Sequence, residues 1–199
     1  MTVLSGISAG ILISIGGTVF LSCENRYVGA VMFSVALLCI CFKGYFLFTG
    51  KVGYLPEKHS KKDISALLLG LLGNAIGTAI CGILIRYALP AVGEAAEKAC
   101  NLKLEQAVPQ TFLRALFCGV LMYLAVSIFR DKSTPLGIIF CIPVFILSGF
   151  EHSIADMFYF AATGSFSLDV LKFIVVVILG NSVGGVLLPL LAVPGKKQQ

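Results

Sequence analysis

Six apolar stretches, each close to the length that crosses a bilayer, take up most of this sequence and leave only short connections between them. They cover residues 2–22, 28–49, 64–89, 111–129, 134–150 (continuing to about 163) and 170–193. A spanning helix needs about 20 mostly apolar residues. The pattern predicts an all-α integral membrane protein with six transmembrane helices, in a single domain over 1–199. Only 13% of the residues are charged, against about a quarter in soluble domains. The first stretch has no basic segment before it and no small-residue cleavage site after it, so a retained helix is expected.

Lysine and arginine set the expected orientation, because cytoplasmic loops carry the excess. With both termini inside, Lys51, Lys58, Lys61, Lys62, Arg130, Lys132, Lys196 and Lys197 fall on the cytoplasmic side. Arg26, Arg86, Lys98, Lys103, Arg114 and Lys172 fall outside. The net charge of +5 is therefore a topology signal and does not point to nucleic acid. The seven cysteines show no CxxC spacing and are read as small hydrophobes. No metal or cofactor is expected.

The chain repeats itself. Leu72-Gly73-Asn74-Ala75-Ile76-Gly77 in the third stretch matches Leu179-Gly180-Asn181-Ser182-Val183-Gly184 in the sixth. The second and fifth stretches are each interrupted, around Gly44 to Gly50 and around Gly149 to Ser153. Helices 1–3 and 4–6 thus form two related halves, about 1–90 and 108–195. Three is odd, so the second half enters the bilayer from the opposite side. Inverted repeats with paired broken helices place transport sites near the midplane, so the two breaks are expected to face one pathway.

The second break carries the chemistry. Glu151, His152 and Asp156 lie within ten residues of otherwise apolar sequence, and ionisable groups at membrane depth mark pathways and relays. Asp156 is four residues beyond His152, on one face of a continuous helix, where its carboxylate could orient the imidazole. Glu151 would point elsewhere. Lys43, inside the second stretch, either attracts an anion or reaches a polar partner.

Gly149-Phe150-Glu151-His152-Ser153-Ile154-Ala155-Asp156-Met157-Phe158 resembles the GFEHSVANMF signature of the formate/nitrite transporter family. Leu47-Phe48-Thr49-Gly50 is similar to its loop interrupting helix two, and Gly73-Asn74 and Gly180-Asn181 to its Gly-Asn patterns. Lys103 stands sixteen residues before Gly119, similar to the spacing from the family's outer-vestibule lysine to a pore asparagine. The resemblance implies an aquaporin-like homopentamer with one pore per protomer. Each pore would pass small monovalent anions such as formate, nitrite or hydrosulfide, often with a proton. It implies His152 as the central pore histidine with Thr49 beside it. Phe33, Leu37, Leu47, Phe48 and Phe145 take the places of the apolar constrictions, and Lys103 draws anions in. Three positions depart from the family pattern: Phe46 replaces an acidic residue, Gly119 an asparagine and Asp156 the signature's asparagine. The stretch from Thr49 to Asn74 is also short. Lys43 would compensate for some of the lost polarity.

Other classes are a pore for small neutral solutes, a non-conducting member, and an intramembrane enzyme or metal site on Glu151, His152 and Asp156. The last is disfavoured, because the sequence has two histidines, one of them His59 in a basic loop, and no HExxH motif.

Overall fold

The computed structural model describes residues 1–192. Val193, Lys196 and Lys197, used above for the sixth stretch and the charge bias, lie outside the described residues, as does the end of the second half. Among the described residues there are nine α-helices: α1 (Thr2–Ser22), α2 (Arg26–Lys43), α3 (Phe48–Lys51), α4 (Lys61–Ala88), α5 (Pro90–Leu104), α6 (Val108–Lys132), α7 (Leu136–Leu147), α8 (Ser153–Thr163) and α9 (Leu168–Leu191). A single 3-10 turn, Val52–Tyr54, follows α3.

Five of these helices, α1, α2, α4, α6 and α9, are long and apolar enough to cross a membrane. The fifth apolar stretch is divided between α7 and α8, and the second ends in the four-residue α3. Large apolar side chains such as Leu68, Leu72, Ile83, Leu84, Phe140 and Leu187 are exposed along these helices. So extended an apolar exterior belongs in lipid. Local chemistry sets the helix ends. Asn25 accepts from the Tyr27 and Val28 amides to start α2, and Ser60 with Asp63 forms a capping box on α4. At the two breaks, Gly44 (φ 67°) ends α2 and Gly149 (φ 70°) follows α7, both in the left-handed region that glycine enters without penalty.

The most extensive packing is of α1 on α4 and of α6 on α9. Both pairs approach backbone to backbone. A Cβ added at Gly10 would meet the backbone of Thr78 and Gly77 on α4, and one at Gly184 would collide with the Leu116 carbonyl on α6. Small residues allow this approach where no hydrophobic force separates helix from lipid. Gly119 belongs to the same seam. A side chain there would strike Asn181 and Gly185 of α9, so the position is a helix contact and cannot present a polar group to a pore.

Helix α5 was not expected. The segment was read only as a connection, yet Pro90 at its first turn followed by Ala, Glu and Lys is a helix-start signal. It packs on α8 and brings Lys103 to the second break.

Candidate functional site

Two buried asparagines hold the breaks. Asn74, on α4, accepts the Phe48 amide on Oδ1 at 2.9 Å and donates Nδ2 to the carbonyls of Gly6 (2.9 Å) and Phe46 (2.8 Å). Asn181, on α9, accepts the Ser153 amide at 2.9 Å and donates to the carbonyls of Ala115 (2.8 Å) and Glu151 (2.9 Å). Each side chain thus satisfies an amide and a carbonyl that the interrupted helix leaves free and ties them to a neighbouring helix. The residue enclosed by each clamp is Leu47 in the first half and His152 in the second.

His152 is 3% exposed. It is the N-cap of α8, with φ −112° and ψ 110°, and its Nδ1 accepts the Ala155 amide at 3.1 Å. An Nδ1 that accepts carries no proton, so the neutral ring bears its proton on Nε2. That nitrogen lies 2.9 Å from Thr49 Oγ1, and the hydroxyl accepts. The Thr49 proton is then left to point elsewhere. Residues from the two breaks therefore meet, as the sequence led one to expect.

Aromatic rings pack on one side of this pair. The Phe145 ring stacks on the His152 ring with centroids 5.6 Å apart, and Phe33 meets Phe145 edge-on at 6.3 Å. Phe33, Leu37, Leu47, Phe48 and Phe145 are all buried. On the α3 side, Leu37 and Leu47 line a cavity of about 450 Å³ together with Lys51, Lys58, Arg130 and the acidic Asp63. Lys43 is exposed and is not among the residues lining this cavity. Its expected compensating role is therefore not supported by its position. The last turn of α2 carries it to the surface.

Asp156 does not pair with His152. Because His152 is extended backbone ahead of α8, the four-residue rule for a continuous helix does not apply, and only the Asp156 amide reaches the His152 carbonyl (2.9 Å). The Asp156 carboxylate instead pairs with Lys103 Nζ at 2.9 Å. The same ammonium pairs with Glu151, whose other oxygen accepts Gln106 Nε2 at 2.8 Å. Glu151 and Gln106 were missed as members of this cluster. For Glu151 the only sequence signal was a charge at membrane depth, readable once α5 is folded against α8, and the uncharged Gln106, between α5 and α6, gave none. Burial alone would lower the Lys103 pKa, but the Asp156 and Glu151 carboxylates outweigh it and hold the ammonium above the ordinary lysine value.

A helical bundle with an apolar exterior and two helix breaks clamped into contact defines a multi-pass membrane protein. Comparison with known proteins narrows this. Residues 1–193 match the formate/nitrite transporter family model. The chain is 32% identical over 186 residues to the uncharacterized transporter YwcJ of Bacillus subtilis, covering 80% of this chain and 72% of that one. It is 27% identical over 169 residues to the nitrite transporter NirC of Salmonella typhimurium, covering 78% and 62%. Among solved structures, a pentameric formate channel with formate bound superposes with a TM-score of 0.81 at 24% identity, covering 96% of this chain and 94% of that one. The chain belongs to the formate/nitrite transporter family.

Proposed function

We propose that the protein is a channel for small monovalent anions of the formate, nitrite or hydrosulfide type, which cross together with a proton. In this reading the two halves are inverted three-helix repeats. The protein is a homopentamer in the cell membrane with both termini cytoplasmic, and each protomer conducts through its own pore. The pentamer and the substrate class are supported by what the superposed channel is described as being, a pentameric formate channel.

The observation that carries the reading is the contact between Thr49 Oγ1 and His152 Nε2, with the Phe145 ring stacked on the imidazole and Phe33 against Phe145. An unpaired ion loses many kcal/mol of hydration in an apolar constriction, whereas its neutral acid loses only a few. The apolar walls thus favour passage of the acid form. Between them the imidazole holds the Thr49 hydroxyl by donating to its oxygen, so that the hydroxyl proton is free to donate to a passing carboxylate, nitrite or hydrosulfide. The ring supplies orientation without charge. It could load a proton on Nδ1 only by releasing the Ala155 amide and loosening the first turn of α8. On the α3 side, Lys51, Lys58 and Arg130 raise the local anion concentration at the mouth.

The test is uptake of formate, nitrite, hydrosulfide and acetate into proteoliposomes across a pH series, with His152→Phe alongside. Uptake should rise as pH falls, because the acid fraction rises, and should be lost in the variant. Uptake that ignores pH and survives loss of the imidazole overturns the proposal.

A further inference from the structure

Two carboxylates share one cation at the second break, and that arithmetic leaves a charge unaccounted for. Asp156 is 1% exposed and Glu151 2%, and the Lys103 side chain 15%. With all three ionised the cluster carries a net negative charge away from water, and an uncompensated buried charge is strongly destabilising. Among the described residues no second cation pairs with either carboxylate. The groups facing Asp156 are Lys103 and Cys100 from α5, Glu151 from the break, Cys118 from α6 and Tyr159 from its own helix. Of these only Lys103 is positive.

The oxygens are not equivalent. Glu151 receives a donor on each, from Lys103 and from Gln106. The Gln106 amide is itself oriented by the Thr111 hydroxyl at 3.3 Å. Asp156 receives Lys103 on Oδ1, while its Oδ2, fully buried, has no hydrogen-bond partner among the described residues. A buried polar atom with no partner calls for an explanation. An oxygen that lacks a donor is where a carboxyl proton can sit.

We propose that Asp156 Oδ2 is a proton-binding site, separate from His152, which makes the Lys103–Glu151–Asp156 cluster neutral when a proton is aboard. The proton comes from water at the α5 side, adds to the free oxygen and leaves by the same route, with no other bond made or broken. The site places an exchangeable proton one short step in sequence from the His152–Thr49 pair. Its part in transport rests on the proton-linked reading above, but its existence does not.

The test reads the site without reading flux. Infrared difference spectra of the purified protein near neutral pH should show a protonated-carboxyl C=O band that shifts in deuterium oxide. Asp156→Asn and Glu151→Gln are near-isosteric, and each leaves one carboxylate with one ammonium. Both should therefore lose the band, while elution volume and thermal midpoint confirm that each variant is folded. Lys103→Met removes the cation and should keep the band at full strength or increase it. A wild-type spectrum without the band, or a band that persists in Asp156→Asn, overturns the proposal. Either result leaves the pH dependence of anion uptake untouched.

Discussion

Asn74 and Asn181 make matching hydrogen bonds in the two halves of the chain: each accepts one amide from a helix break and donates to one carbonyl of that break and one of an adjacent helix. The enclosed residues, Leu47 and His152, stand in equivalent places, so the two halves use one scaffold for different ends. The first half presents an apolar wall and the second an imidazole. Thr49 lies two residues beyond Leu47 and reaches across to the ring, which makes the site a product of both halves.

Replacing either asparagine by leucine should destabilise the protein to a similar degree. Each change strands one amide and one carbonyl of the break, at about 1–3 kcal/mol for each group left unsatisfied, while the Gly6 and Ala115 carbonyls lie within α1 and α6 and keep their helical bonds. Lowered thermal midpoints of comparable size in Asn74→Leu and Asn181→Leu would bear this out. A large loss in one variant with none in the other would show that only one break depends on its clamp.

Gly184 and Gly44 are required for different reasons, and substitution should separate them. Gly184 is pressed against the Leu116 carbonyl, so Gly184→Ala forces α6 and α9 apart, a strain of about 1–3 kcal/mol or more. Gly44 has open space around it but φ 67°. There Gly44→Asn, a residue that enters the left-handed region readily, should be nearly neutral and Gly44→Val costly. A Gly184→Ala midpoint equal to wild type contradicts the packing described for α6 and α9, and a Gly44→Asn midpoint as low as that of Gly44→Val contradicts the left-handed turn at the end of α2.

Much of the fold could be read from the sequence because membrane helices announce themselves by length and polarity alone. Five of the stretches are long apolar helices in the structure, the fifth in order is divided between α7 and α8, and the two breaks and both Gly-Asn patterns fall where the helices are interrupted or clamped. Other features depended on geometry that spacing does not encode. Asp156 was expected beside His152, but the N-cap conformation of His152 takes the ring off the helix that would have joined them. Gly119 was read as a vacated pore position, whereas it lies in the α6–α9 seam. Lys43 sits within an apolar stretch yet reaches the surface from the last turn of α2. Helix α5 is short and largely polar, so a search for spans passes over it, and with it the partner that binds Glu151 and Asp156.

The cavity on the α3 side separates lining cations from bystanders. Lys51→Met, Lys58→Met and Arg130→Met remove charge from its walls and should lower anion uptake several-fold at low ionic strength, with the difference shrinking as salt is added. Lys43→Met should leave uptake unchanged, because the side chain does not line the cavity. A loss in Lys43→Met equal to that in the lining variants would return this residue to the pathway. The Arg130 variant carries a further mark, since its guanidinium lies 4.1 Å from the Tyr54 ring centroid. Removing that cation–π contact is worth about 0.5–1 kcal/mol at a partly exposed site, so a small drop in thermal midpoint should accompany the loss of uptake.

Thr49 offers the sharpest test of how the two breaks cooperate. Thr49→Val keeps the shape of the side chain and removes the hydroxyl, leaving the buried His152 Nε2 proton without its acceptor at 2.9 Å. The stability loss should be about 1–3 kcal/mol, the cost of one unsatisfied buried donor. Uptake should fall much further, because the valine has no proton to offer the passing anion and the ring loses the contact that fixes its plane. Thr49→Ser retains the hydroxyl and should restore uptake to within a few-fold of wild type. If Thr49→Val conducts as well as Thr49→Ser at every pH, the hydroxyl takes no part in passage, and the contact between the breaks is structural.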